Sequence, residues 1–265
     1  MATPADAPSI VAAIREGFTP EVVALTVYGC SGVEDYVAQV AALGPLSSTI
    51  FLVAGTGSGV LGAAEFSRSG HTLVLSYISV REEARYQGLG GILLSGGVDE
   101  ARATDASMSL DVFEDNTRAF DWYRSLGFVA LGRRSWWSAK LPEWDGSHNS
   151  DVIVSGFPQA EASHRAFGFS EFSVRTGAQS WSVGRLGDTY FRLTDPAGLA
   201  SSDLLAALGQ MNPARRILCL GDADAPGAPK PERASLLMSA HRLTAPMTHL
   251  RSALSPAGSY GSVGI

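Results

Sequence analysis

Cysteine is scarce: Cys30 and Cys219 are the only two in 265 residues. Far apart in sequence, they permit one disulfide at most and read as two reduced thiols of a cytoplasmic protein. No CxxC or HxxxH string occurs, so no metal site is expected. No block of Lys and Arg stands out and the formal net charge is -6, which argues against a nucleic-acid partner. No apolar stretch approaches the roughly 18 residues of a membrane span. The opening MATPADAPSIVAAIREGF has no basic start and so does not resemble a signal peptide. Global disorder is excluded too, because 45% of the residues are hydrophobic and only 17% charged.

What is present is an alternation of α and β patterns. Residues 8–17 and 33–43 have helical spacing, the latter with Val33, Tyr36, Val37, Val40 and Leu43 on one face. VVALTVYG (22–29), TIFLVAGT (49–56), VLGAAEFSR (60–68), TLVLSYISV (72–80) and SLDVF (109–113) predict strands, with a hairpin turn at Gly57-Ser58-Gly59. A helix follows residue 88 and is expected to bury Leu89, Ile92 and Leu93. A second, capped by Asp115 or Asn116, carries Ala119, Phe120, Tyr123 and Leu126 and closes at Gly127. An extended region runs from Phe128 to Lys140.

The organisation expected is a first domain over 1–141, a linker over 142–150 broken by Pro142, Gly146 and Asn149, and a smaller β-rich domain over 151–265. In the latter, DVIVSG, FSEFSVRT, SWSVGRL, DTYFRLT, RRILCL and ASLLMSA predict strands and SSDLLAALGQM a helix. Residues 221–232 are expected to form a Pro- and Gly-rich loop, and the end of the chain to fray. The string Tyr123-Arg-Ser-Leu-Gly-Phe has an echo in His164-Arg-Ala-Phe-Gly-Phe. The second domain is therefore either a degenerate copy of the first or an unrelated cap that closes an acceptor cleft.

The chemistry concentrates in ARYQGLGGILLSGG (84–97), five glycines between a strand and a helix. A helix that opens on glycines presents unpaired N–H groups and a positive dipole end, with no Cβ to keep an anion away. A Walker loop is excluded, since no GxxxxGK[ST] occurs. A dinucleotide fingerprint finds Gly88 and Gly90 but meets Leu93 at its third glycine, with Asp111 near the distance of an acidic ribose partner. The third cradle is a coenzyme A diphosphate loop, to which Arg85 adds a charge.

Val80, Arg85, Gly88 and Gly90 stand in a V-x4-R-x-x-G-x-G arrangement, and Val112, Asn116, Ala119, Tyr123, Gly127 and Phe128 fit V-x3-N-x2-A-x3-Y-x3-GF. Over residues 20–140 the sequence resembles the GCN5-related N-acetyltransferases (the GNAT family) on both strings. It departs at Glu82, where that family usually has proline. The resemblance implies an α/β fold, a mixed and mostly antiparallel sheet flanked by helices. It also implies acetyl transfer from acetyl-CoA, as co-substrate and without a metal, to the primary amine of a small molecule or peptide by direct transfer in a ternary complex. The acidic balance leans toward a cationic small acceptor.

The same resemblance implies a cofactor-binding set. Tyr77, Ile78 and Val80 lend their backbones, the loop contributes Arg85, Gln87, Gly88, Leu89, Gly90 and Gly91, and Asn116 and Phe120 face the cofactor arm. It implies Tyr123 as general acid toward the leaving thiolate. For the base, Glu65 interrupts an apolar strand, and Asp111 and Glu114 are alternatives. Two other readings stand beside this one: a non-catalytic coenzyme A-binding module and a nicotinamide enzyme. Gly96 and Gly97 fall inside the helix, where each costs about 1 kcal/mol against alanine. They suggest close approach to cofactor or sheet. The oligomeric state, a homodimer included, stays open.

Overall fold

The computed structural model describes residues 1–56, 59–143, 151–222 and 234–254. The turn at Gly57 and Ser58, most of the expected linker, most of the expected 221–232 loop and the expected frayed end lie outside the described residues. In chain order the elements are α1 (Ala7–Glu16), α2 (Pro20–Ala24), α3 (Val33–Leu43), β1 (Thr49–Thr56), β2 (Gly59–Ser69), β3 (Thr72–Val80), α4 (Leu89–Asp99), β4 (Ser107–Phe113), α5 (Thr117–Ser125) and β5 (Val129–Lys140). Then come β6 (Val152–Ser155), α6 (Phe157–Phe167), β7 (Phe169–Thr176), β8 (Gln179–Leu186), β9 (Tyr190–Leu193), α7 (Ser202–Met211), β10 (Arg216–Asp222), β11 (Ser235–Pro246) and α8 (Met247–Ala253). The fold is mixed α/β, with mostly antiparallel strands flanked by helices.

The expected strand over 22–29 does not form. Pro20 opens α2, as its fixed φ suits a first helical position. Val27–Gly29 then makes a 3-10 turn, where the Tyr28 amide donates to Thr26 Oγ1 at 3.2 Å. The β-branched run thus closes its hydrogen bonds locally instead of in a ladder.

The chain divides into two compact units, neither of them continuous. One holds Met1–Thr19, Val37–Leu131 and His241–Ile265; the other holds Pro20–Tyr36 and Gly132–Ala240. The division therefore differs from a cut at residues 142–150. Within the first unit, β1, β2 and β3 form an antiparallel meander, β4 joins β3 in parallel, and residues of β11 from His241 onward lie beside β4. Thr244 Oγ1 donates to the Met108 carbonyl at 3.2 Å, and Arg242 grips Asp111 with two hydrogen bonds of 2.7 and 2.6 Å. The closing part of this sheet thus comes from a segment far along the chain.

The first unit's core lies between this sheet and α4, α5 and α8. It includes Phe66, Leu73, Leu94, Met108, Phe128 and Leu250. Burying each such side chain contributes about 1.5–3 kcal/mol. In α4 the buried side differs from the hydropathy reading: Leu93 and Leu94 are inside, but Ile92 is 58% exposed. The reason is Gly97, whose Cα lies so near the Phe66 ring that no Cβ fits. Gly96 lies against Leu52. The helix turns its glycines to the sheet, which rotates Ile92 outward.

In the second unit, β7, β8 and β9 form another antiparallel meander. α7 follows, and then β10 runs parallel to β9. This repeats the order β1–β2–β3–α4–β4 of the first unit. The sequence echo marks something else. Gly127 (φ +88°) and Gly168 (φ +79°) each end a helix in the left-handed region, and a buried or half-buried Phe leads into a strand. These two junctions, α5 to β5 and α6 to β7, occupy different places in the two topologies. Helix α6 itself had no clear apolar periodicity in the sequence. It is fixed by Arg185, whose guanidinium donates to Glu161 Oε2 and the Ala160 carbonyl, both at 2.8 Å. Both cysteines are buried thiols outside any disulfide, and Cys30 Sγ donates to the Gly168 carbonyl at 3.3 Å.

Candidate functional site

Strand β3 carries a bulge. Glu65 pairs with Tyr77 and Phe66 with Leu75, which leaves Ser76 as the extra residue. The bulge inverts the alternation, so that Ile78 and Val80 continue the core-facing side begun by Leu73 and Leu75. Toward β4 the pairing runs from Thr72–Ser107 to Leu75–Leu110 and stops there. β3 nevertheless continues to Val80 and β4 to Phe113. The two parallel strands therefore part, leaving main-chain groups of β3 for another partner.

A cleft of about 510 Å³ occupies this opening. Ile78, Ser79 and Val80 supply one wall, and Asn116, Ala119 and Trp122 of the α5 segment another. Its end is the loop before α4 and that helix's first turn: Arg85, Gly88, Leu89, Gly90 and Gly91. Gly88 is the N-cap, at φ +78° in the left-handed region, with no side chain bonding the helix amides. The first-turn N–H groups, which have no partner within a helix, are thus presented to the cleft. A Cβ at Gly90 would touch the Trp122 ring at 3.5 Å, so glycine keeps the cleft floor low. The Arg85 Nε donates to the Val80 carbonyl at 3.2 Å, which fixes the guanidinium stem beside the strand end. Together these groups form an anion seat in line with an open strand edge, where an extended chain bearing amides could pair.

Of the residues singled out from sequence, Ile78, Val80, Arg85, Gly88, Leu89, Gly90, Gly91 and Asn116 come together here. Asn116 is the N-cap of α5; its Oδ1 accepts from the Ala119 amide at 3.1 Å, which leaves its amide NH₂ for other work. Gln87 does not line the cleft and donates to the Glu83 carbonyl instead, at 3.2 Å. Phe120 does not line it either. It packs on the core, with its ring 4.8 Å from His241. Tyr123 does not line the cleft either: it belongs to the core, 5% exposed, set between Trp122 and Phe128 at ring distances of 4.8 and 5.6 Å. Burial raises its phenol pKa, so the hydroxyl stays protonated throughout the neutral range.

Glu65 is not brought to the cleft. Its neighbours Ala64 and Phe66 point into the core, so strand alternation sends Glu65 to the opposite face, across from Tyr77. Asp111 is engaged by Arg242 through both carboxylate oxygens. Six cleft residues were not singled out from the sequence: Gly17, Ser79, Ala84, Tyr86, Arg118 and Trp122. For Gly17 and Ser79 the signal exists only in three dimensions, since Gly17 approaches Ser79 too closely for a Cβ. No group of three or more His, Cys, Asp or Glu suited to a metal occurs among the described residues. No described helix is long and apolar enough to cross a membrane.

The corresponding place in the second unit is built differently. The N-terminus of α7 is capped by Ser201, whose Oγ accepts from the Leu204 amide at 3.3 Å. Ahead of it, Pro196 fills the space that a Cβ on Gly221 of β10 would need.

Comparison with known proteins matches residues 30–128 to the acetyltransferase (GNAT) family. No curated protein sequence matches the chain significantly. Among solved structures, a GCN5-related N-acetyltransferase from Sphaerobacter thermophilus superposes with a TM-score of 0.59 at 14% identity, over 93% of this chain and 94% of that one. One from Kribbella flavida gives 0.50 at 15% identity, over 92% of this chain and 69% of that one. A tandem GNAT protein from the clavulanic acid biosynthesis pathway gives 0.51 at 12% identity, over 76% and 84%. At these identities the likeness is one of fold.

Proposed function

We propose that this protein transfers an acetyl group from acetyl-CoA to a primary amine, directly, with both substrates bound at once, a reading supported by the match of residues 30–128 to the acetyltransferase (GNAT) family. The observation that carries the reading is the cleft between parted β3 and β4, floored by an uncapped helix N-terminus. The fit to coenzyme A is chemical: a diphosphate needs N–H donors and a cation, and the pantetheine arm needs a strand edge for its amides.

The carrier, when bound, supplies an acyl thioester open to attack by an amine. The first-turn amides of α4 and Arg85 hold the diphosphate. The backbone of Ile78 and Val80 pairs with the arm, and an N–H near Ile78 faces the carbonyl on which negative charge develops. A donor so placed is worth about 2.7–4 kcal/mol in known enzymes. Asn116 offers its side-chain amide while its oxygen caps α5.

Tyr123 serves the leaving sulfur. A thiol ionises near 8.5 and an unperturbed phenol near 10. Burial moves the phenol further up, so full proton transfer to the thiolate is uphill. The hydroxyl's part is therefore to donate a hydrogen bond to the leaving sulfur while keeping its proton, from a ring packed on cleft-lining Trp122. Tyr123→Phe is expected to lower kcat by about tenfold to a hundredfold without weakening coenzyme A binding, within or below the range for proton-donating groups. Release of free thiol from acetyl-CoA, with a panel of amines, reads kcat; calorimetry reads binding. Unchanged turnover in that variant removes Tyr123 from the mechanism, and no affinity for coenzyme A removes the mechanism altogether.

A further inference from the structure

At the mouth of the cleft stands a pair of residues that the reaction does not use. Tyr86 is 85% exposed and sits at φ +66°, the one non-glycine residue with positive φ among the described residues. A left-handed backbone is strained for a bulky side chain. Arg118, in the first turn of α5, covers one face of its ring with the guanidinium carbon 4.3 Å from the centroid. Its Nη1 also donates to the Tyr86 hydroxyl at 2.8 Å. Exposed cation–π pairs are weak in water and do not offset such strain by themselves. Strain of this kind concentrates where a ligand is held.

Both residues line the cleft, next to Gly88 and Asn116. Arg118 spends one of its five donors on Tyr86 and is otherwise exposed. Tyr86, so exposed, keeps its second ring face open to solvent. A cation with spare donors beside an open aromatic face matches a phosphorylated nucleoside better than it matches an amine, which Arg118 would repel. The carrier proposed above ends in such a group. We propose that Tyr86 and Arg118 seat the 3′-phosphoadenosine end of coenzyme A: the base stacks on Tyr86 and the 3′-phosphate meets Arg118. This rests on the carrier reading, and it assigns the pair a role in choosing among carriers and none in chemistry.

Three ligands separate the parts: coenzyme A, dephospho-coenzyme A (no 3′-phosphate) and 4′-phosphopantetheine (no nucleoside). Each is titrated by calorimetry into the full chain and into Arg118→Gln and Tyr86→Gly. In Arg118→Gln, coenzyme A is expected to bind about tenfold more weakly while dephospho-coenzyme A is little changed. In Tyr86→Gly, both nucleotide carriers weaken by about tenfold, the scale of one lost base stack, and 4′-phosphopantetheine is unchanged. The same variant, relieved of strain, unfolds at a higher temperature than the parent when ligand-free. Equal weakening of all three ligands, or unchanged ratios among them, overturns this inference and leaves the carrier site standing. Failure of all three to bind the unaltered chain overturns both.

Discussion

Replacing Gly97 by alanine tests the packing that shapes the site. On an isolated helix the change stabilises by about 1 kcal/mol. Here the added methyl points at the Phe66 ring, which is fully buried and approached by Gly97 at three ring carbons. Forcing a methyl into a filled core costs about 1–3 kcal/mol. The steric effect wins, and Gly97→Ala should destabilise the first unit by roughly 1 kcal/mol, the difference between the two. Phe66→Leu alone should also destabilise, by about 1–2 kcal/mol through lost ring contacts. The double variant should lose less than the sum, because the smaller side chain makes room for the methyl. Contact pairs of this kind couple by about 0.5–3 kcal/mol. Hydrogen exchange of the α4 amides, read beside urea unfolding, reports on this unit even where the other unfolds separately. If Gly97→Ala stabilises by its full helix propensity, or the two changes add without coupling, the close approach of α4 to β2 is not as described.

Asn116→Ala should cost about 0.5–2 kcal/mol of stability by removing the α5 cap, and should weaken coenzyme A binding. Asn116→Ser keeps the cap and loses the amide donor, so calorimetry on the pair separates the two roles. Calorimetric stoichiometry should be one carrier per chain, since in the second unit Ser201 caps the equivalent helix N-terminus and Pro196 packs on Gly221; a value of two refutes this. His164 gives a pH dependence. Burial is the main cause that lowers its pKa below 6.5, helped by Arg185 and Arg215 and opposed by Asp188. The folded state thus binds fewer protons than the unfolded one. Its contribution is present above the unfolded value of 6.5 and is lost as pH falls from there through the lower folded value. Urea midpoints between pH 7.5 and 5 should fall less steeply for His164→Gln, and identical slopes would exclude His164 as the source.

Much of the candidate site was legible because backbone demands leave marks in sequence. Gly88 and Gly90 reveal a turn and a close approach, and Asn116 reveals a cap, whatever the ligand. Residues 22–29 were not legible, since β-branched composition alone does not disclose that Thr26 satisfies the next amides locally. The orientation of α4 was misread for a related reason. The helix is apolar nearly all round, so Ile92 looked as suited to the core as Leu94, and only the contact of Gly97 with Phe66 decides. Tyr86 carried no signal, because nothing in ArgTyrGln announces a left-handed tyrosine. The discontinuous units were hidden as well: the strand read from sequence stops at Ala240, and nothing in HisArgLeuThrAlaPro tells that β11 runs on to Pro246, its residues before His241 belonging with one unit and those after with the other.

That strand has a bearing on how the molecule is made. During synthesis, β4 emerges more than a hundred residues before the segment from His241 to Pro246 that lies along it. Until then the nascent chain must carry an unpaired sheet edge with Met108 and Leu110 beside it, a surface open to chaperones and to sticking between ribosomes. A gene cut after residue 141 would leave the product in that condition permanently, so the family-matched segment cannot be harvested as a simple N-terminal fragment.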